Sequence, residues 1–206
     1  NGFLDKKDLV IHCIVCKDIE TGEVYSYNPN TINDALELLN KAEVLIGHNI
    51  TGFDIRVLKQ VLNYDFKGKA FDTLLCSRLI WTNRLELDYK FKQMPPKLFG
   101  RHSLESWGYR LGLRKGDYQE HSTFDEYNQD MLEYCQRDVE VTDLLFKELT
   151  SNKNIDFSRY NYFYASYLVN SGKINQAQKV VGSALKLYPR NLLLNQYKFD
   201  LKANDN

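Results

Sequence analysis

The strongest constraint on this 206-residue chain is a break in its composition at residue 152. All 11 glutamates lie before the break and none after it. The first stretch carries 19 basic and 24 acidic side chains, a balance of −5, and the second 8 basic and 3 acidic, a balance of +5. All four cysteines and both tryptophans also belong to the first stretch, while the second is rich in Asn and Tyr. So abrupt a change predicts two units, 1–152 and 153–206, joined near Ser151-Asn152-Lys153-Asn154. The formal net charge of zero is therefore a cancellation. It argues against a generic basic nucleic-acid coat but says nothing about a local site.

With 43% hydrophobic residues the chain has the means to bury a core. No run approaches the roughly 20 apolar residues of a membrane helix. The chain opens on Asn1, not Met, and no charged-then-apolar leader follows, which reads as a fragment or a processed chain. Cys13, Cys16, Cys76 and Cys135 read as reduced, buried, small apolar residues. Cys13-Ile-Val-Cys16 spells C-x-x-C, but strand geometry points residues three apart to opposite faces and no second pair completes a zinc site.

Local patterns predict an α/β first unit. Leu9–Cys16 and Glu23–Tyr27 read as the strands of a hairpin. Thr31 is a candidate cap for a helix through Lys41 with Ile32, Ala35, Leu36 and Leu39 on its apolar face. Glu43–Gly47 reads as a central strand buried on both faces. Helices are expected at Asp54–Leu62, at Thr73–Trp81 capped by Asp72, after Ser103 around Trp107, and across Asp125–Leu149. Residues 83–101, with Pro95-Pro96 and Lys90, Lys92, Lys97 and Arg101, read as irregular. The second unit shows helical patterns at Tyr160–Asn170 and Asn175–Tyr188, split by Ser171-Gly172-Lys173, and a third begins near Asn191.

Three segments carry acidic chemistry: Gly47-His48-Asn49-Ile50-Thr51-Gly52-Phe53-Asp54, Asp72-Thr73, and Tyr134-Cys135-Gln136-Arg137-Asp138. In the last, four-residue spacing puts phenol and carboxylate on one helical face. Each signal alone has a plain structural reading, since an Asp at a helix start is usually a cap. Carboxylates that converge from separate elements repel unless divalent cations bridge them, which points to Mg²⁺ or Mn²⁺ and two-metal phosphoryl chemistry.

Asn49-x-x-x-Phe53-Asp54 and Tyr134-x-x-x-Asp138 resemble the second and third motifs of the DEDD exonuclease superfamily, tyrosine subclass. Asp72-Thr-Leu-Leu-Cys-Ser-Arg-Leu-Ile80 and Phe99-Gly-Arg-His-Ser-Leu-Glu-Ser-Trp-Gly-Tyr-Arg-Leu-Gly112 look like the proofreading exonuclease domain of phage-type family A DNA polymerases. The resemblance covers about residues 1–150, four segments in order. It implies a ribonuclease H-like mixed sheet with flanking helices, followed here by a small all-α hairpin. It also implies 3′→5′ removal of nucleotides from a single-stranded DNA 3′ end, with a polymerase domain in the intact protein and a cytoplasmic setting in a bacterial or phage-infected cell. Asp54, Tyr134 and Asp138 would be catalytic. Asp54 and Asp138 would hold metal, and Tyr134 would orient the attacking water. His48, Asn49, Phe53, Arg78, Arg101 and His102 would contact the nucleic acid.

The family's first motif, Asp-x-Glu on the first strand, has no counterpart in the expected place. A turn like Asn1-Gly2-Phe3-Leu4 follows that motif in relatives, so the first strand is expected to precede this chain and the fragment to be weakly active or inactive. Asp18-Ile19-Glu20 spells the motif but precedes Gly22 between two strand runs, and reads as a hairpin turn. In Ser158–Pro189, the small residues Ala165, Ala177 and Ala184, the turn glycine Gly172 and the stop at Pro189 resemble a tetratricopeptide repeat. The alternative there is a generic helical hairpin. About three repeats are needed to bury a solenoid core, so this segment calls for a protein partner, a docking surface or more chain. Two other readings share the acidic motifs: a degenerate exonuclease fold serving as a nucleic-acid or protein-binding adaptor, and an RNA-directed nuclease. The Trp107 segment favours the polymerase type over the latter.

Overall fold

A computed structural model describes residues 9–113, 126–151 and 158–203. The expected turn at residues 1–4, the start of the helix at Asp125 and most of the join at 151–154 lie outside them. The chain is mixed α/β, consistent with a ribonuclease H-like domain plus helices. It divides into two compact units, the first from Asn1–Leu75 and Asn83–Ser151, the second from Cys76–Thr82 and Asn152–Asn206. No described helix is long and apolar enough to cross a membrane.

In the first unit β1 (Ile14–Lys17) pairs antiparallel with β2 (Val24–Tyr27), Ile14 opposite Tyr27 and Lys17 opposite Val24. The first strand is shorter than the expected Leu9–Cys16, because the four residues of β2 provide only a four-residue ladder. The connection is the expected turn. The Asp18 carboxylate accepts from the backbone N–H of Glu20 (2.9 Å) and Thr21 (2.8 Å), and Gly22 adopts φ +76°. Asp18 and Glu20 are thus exposed turn residues, not part of a core strand.

The helix α1 (Ile32–Lys41) buries Ile32, Ala35 and Leu39, one stripe at helical spacing. Thr31 occupies the N-cap position but makes no side-chain cap. Its hydroxyl accepts instead from the Asn28 N–H at 3.0 Å, captured by the preceding Asn-Pro-Asn turn. The strand β3 (Val44–Gly47), the helix α2 (Asp54–Leu62) and the strand β4 (Lys69–Asp72) form a βαβ unit with β3 and β4 parallel, Gly47 opposite Asp72. The expectation of a strand buried on both faces is corrected. Val44 is 44% exposed, and among the described residues β3 has β4 as its one neighbour.

Next come α3 (Thr73–Ile80), α4 (Arg84–Asp88), a 3₁₀ turn at Pro96–Leu98, α5 (Leu104–Leu111) and α6 (Gln129–Ser151). The segment 83–101, expected to be irregular, therefore contains a short helix held by its buried Asp88. Ser103 caps α5 as expected, accepting from the Ser106 N–H at 3.3 Å. Asn128 accepts from the Met131 N–H at 2.8 Å and opens α6. The helix α6 buries Met131, Tyr134, Val141, Leu145 and Leu149 and packs against β1, β3 and α5. Asp143 on α6 is buried and takes an ion pair from Lys17 of β1 at 2.5 Å and a second from Lys147 at 2.9 Å. None of the four cysteines is in a disulfide, but only Cys76 is fully buried; Cys13, Cys16 and Cys135 are half-buried, against expectation.

The second unit has three helices beyond the Cys76–Thr82 stretch: α7 (Ser158–Asn170), α8 (Ile174–Leu187) and α9 (Leu192–Ala203). Ala165, Leu168, Ala177, Val181 and Leu201 form its core. Gly172 turns the chain between α7 and α8 at φ +71°, a conformation that costs a residue with a Cβ. Asn191 starts α9 by accepting from the Leu194 N–H at 3.0 Å and donates to the buried Ser158 hydroxyl at 2.7 Å.

Candidate active site

The ends of the parallel strands build the site. Gly47 closes β3 beside Asp72, the last residue of β4, and the loop 48–53 folds over the Asp72 carboxylate. One oxygen accepts from the Asn49 N–H (3.0 Å), the other from the Thr51 N–H (3.2 Å) and hydroxyl (2.6 Å). The first oxygen also accepts from the Leu74 and Leu75 N–H groups at 3.0 and 3.3 Å, so Asp72 caps α3 as expected. With five donors on it and 6% exposure, Asp72 organises the loop and offers little to a ligand.

The loop is tight enough to dictate its glycines. A Cβ on Gly47 would fall 2.7 Å from the Ile50 side chain, and one on Gly52 would fall 2.5 Å from the Asn49 side-chain oxygen. Asn49 itself adopts φ +63°, a left-handed conformation that Asn tolerates better than most side chains. His48 sets Nδ1 3.0 Å from the Thr73 hydroxyl, which lies 3.3 Å from the Gly47 carbonyl oxygen.

This loop delivers Asp54 as the first residue of α2. Asp54 is exposed to solvent, although protein atoms lie densely around its carboxyl. Its pKa is pushed up to about 6, chiefly because burial penalises the charge and further because Asp72 and Asp138 repel it. Asp138 comes from α6, half-buried, one turn after the buried Tyr134. Carboxylates from three separate elements thus share one electrostatic neighbourhood.

Hard divalent cations take such oxygens. Asp72 is already committed to N–H and O–H donors, so the described residues offer Asp54 and Asp138. No group of three or more His, Cys, Asp or Glu side chains among the described residues is arranged to hold a metal ion. By themselves these residues do not fit a two-metal site.

His48, Asn49 and Phe53 share the Asp54 loop, with Asn49 exposed and Phe53 39% exposed. Arg101 is exposed and folds back over the 3₁₀ turn, donating from Nε to the Lys97 carbonyl at 2.7 Å. The His102 ring lies 6.1 Å from that of Trp107. Arg78 is exposed on α3, within the stretch that groups with the second unit.

Two constellations were not read from the sequence. Asp88 is fully buried and is gripped by Arg110 through Nε (2.9 Å) and a terminal nitrogen (2.6 Å), with the Gly100 N–H (2.9 Å) and Arg84 (3.4 Å) adding to it. Arg84 and Arg110 also lie against the Trp107 ring, 5.1 and 4.7 Å from its centroid. The i, i+4 spacing of Arg84 and Asp88 was a visible signal; Arg110, 22 residues further on, was not. The other constellation is Lys17, Asp143 and Lys147, of which only the Asp143–Lys147 spacing was legible.

Fold and site together define a mixed α/β domain with converging carboxylates at the ends of a parallel strand pair. The chain is similar to the DNA-directed DNA polymerase of Enterobacteria phage T3, 34% identical over 196 residues, covering 79% of this chain and 28% of that protein. It is also 34% identical over 185 residues to the DNA-directed DNA polymerase of Escherichia phage T7, covering 73% of this chain and 26% of that protein. The chain spans about a quarter of the length of these curated relatives. The similarity supports a phage polymerase-type domain. No protein-family model matches the chain.

Proposed function

We propose that the first unit is a 3′→5′ exonuclease domain of the proofreading kind, hydrolysing the terminal phosphodiester of a single-stranded DNA 3′ end. The observation that carries this reading is the electrostatic meeting of Asp54 and Asp138 from separate elements, with Tyr134 one turn before Asp138. The similarity to phage DNA-directed DNA polymerases supports it. In this reading water attacks the phosphorus, the bond to the 3′ oxygen of the preceding nucleotide breaks, and a nucleoside 5′-monophosphate leaves. The Tyr134 hydroxyl would orient that water. His48, Asn49, Phe53, Arg101 and His102 would hold the strand. Asp54 and Asp138 would contribute two donors toward Mg²⁺ or Mn²⁺, which when bound would neutralise charge at the phosphate; further donors would have to complete the set. A polymerase domain would hand over the 3′ end in the intact protein.

The second unit we read as tetratricopeptide-like and suited to a protein partner, supported by the buried small residues Ala165, Ala177 and Ala184 at its helix contacts.

The test pairs Mn²⁺ calorimetry with digestion of a 3′-labelled single strand by the chain extended at its N-terminus with a strand carrying Asp-x-Glu, and by the Asp54→Asn and Asp138→Asn variants of that extended chain. Mn²⁺ heat and digestion that both fall at least about 100-fold in each variant support the proposal. Equal heat and equal digestion in all three proteins would overturn it.

A further inference from the structure

We propose that Cys13 and Cys135 form a redox modification site, in which the two thiols close to a disulfide on exposure to a hydroperoxide. The sulfurs lie 3.4 Å apart although 122 positions separate the residues. Neither thiol is in a disulfide and both are half-buried, so they are neither sealed in the core nor loose at the surface. Cys13 enters β1 and Cys135 lies on α6 beside Tyr134, and these two elements pack together. A disulfide needs sulfurs at about 2.05 Å, so the pair at 3.4 Å has to close by about 1.3 Å.

The chemistry balances with the peroxide as oxidant. The Cys13 thiolate attacks one peroxide oxygen, the O–O bond breaks and hydroxide leaves, giving a sulfenic acid. The Cys135 thiol then attacks that sulfur, the S–O bond breaks and a second hydroxide leaves. With the two thiol protons, two waters form as the two sulfurs are oxidised and the peroxide is reduced.

The other cysteines are poorly placed for this reaction. Burial pushes the Cys16 thiol up to about 11, and Cys76 is closed to solvent. The contact with Cys135 holds the Cys13 thiol below its ordinary value against the opposing effect of burial, which favours the attacking thiolate. The sequence pairing Cys13-x-x-Cys16 is thus not the chemical one. The inference stands apart from the exonuclease reading.

The experiment treats the chain with hydrogen peroxide, quenches in acid, alkylates in denaturant and maps the peptides by mass. The expected product joins the Cys13 and Cys135 peptides, about 2 Da lighter than their reduced sum, and dithiothreitol reverses it. Cys16 and Cys76 should be recovered alkylated, and Cys13→Ser or Cys135→Ser should abolish the bridge. Closing a loop this long should also raise Tm by about 5 °C or more over the reduced chain. Full alkylation of all four cysteines, a Cys13–Cys16 bridge, or an over-oxidised Cys13 without a bridge would each overturn the inference, and the wild-type map decides it even if a variant misfolds.

Discussion

The Thr51 hydroxyl donates to the Asp72 carboxylate at 2.6 Å, and through that bond the end of β4 dictates the shape of the loop that delivers Asp54. Asp72 also takes four backbone N–H groups, from Asn49, Thr51, Leu74 and Leu75. Asp72→Ala leaves these donors without an acceptor in a buried place, so the chain should lose about 3 kcal/mol of stability. Asp72→Asn keeps one acceptor oxygen and should lose less. Urea unfolding midpoints of the three proteins check the order; equal midpoints for wild type and Asp72→Ala would refute it.

Asp54 makes a pH prediction of opposite sign to an ordinary salt-bridged carboxylate. Its folded pKa of about 6 lies above its unfolded value near 3.9, so the folded state binds more protons between those limits. Its contribution is fully present below about pH 4 and is lost as pH rises through 6. Asp54→Asn should remove that slope and leave the protein more stable at pH 7, by less than about 1 kcal/mol because solvent screens the open side of the carboxyl. The readout is the difference between variant and wild-type urea midpoints from pH 4 to 7; a difference that does not change with pH would contradict the assigned environment.

Asp143 should behave the other way. Burial alone would raise its pKa, but hydrogen bonds from Lys17 and Lys147 hold it below the usual carboxylate range. Its contribution is therefore present above about pH 4 and lost as pH falls through the lowered value. Asp143→Asn should cost about 2 kcal/mol at pH 7 and progressively less below pH 4. Thermal melts at both ends of that range suffice to test it.

The sequence made legible what depends on spacing along the chain. The amphipathic stripe of α1, the helix at Asp54–Leu62, the capping of α3 by Asp72 and of α5 by Ser103, and the turn at Asp18-Ile19-Glu20 all follow from neighbours within a few residues. What stayed hidden depends on partners brought together by folding. The Thr31 hydroxyl was taken by Asn28, the strand at Val44 was left partly open, and the loop at 83–101 gained a helix around Asp88. At the site, the Tyr134–Asp138 face was readable from a four-residue spacing. That Asp72 spends its oxygens on the loop was not, because its partners at 49 and 51 lie more than twenty residues away.

The Asp88–Arg110 pair gives the sharpest stability prediction. Arg110 forms two bonds to a carboxylate with no exposure, and its terminal nitrogen also reaches the Arg101 carbonyl at 2.6 Å. Removing Arg110 breaks both of its bonds to a buried carboxylate and leaves Arg84 and the Gly100 N–H to offset part of the charge, so Arg110→Met should destabilise by about 3 kcal/mol. Asp88→Leu in the same chain removes that charge and should recover part of the loss. Recovery should stay incomplete, because Arg84 loses the same carboxylate at 3.4 Å. A double-mutant cycle of urea midpoints measures this; additive single effects would show that the two residues do not act as a pair.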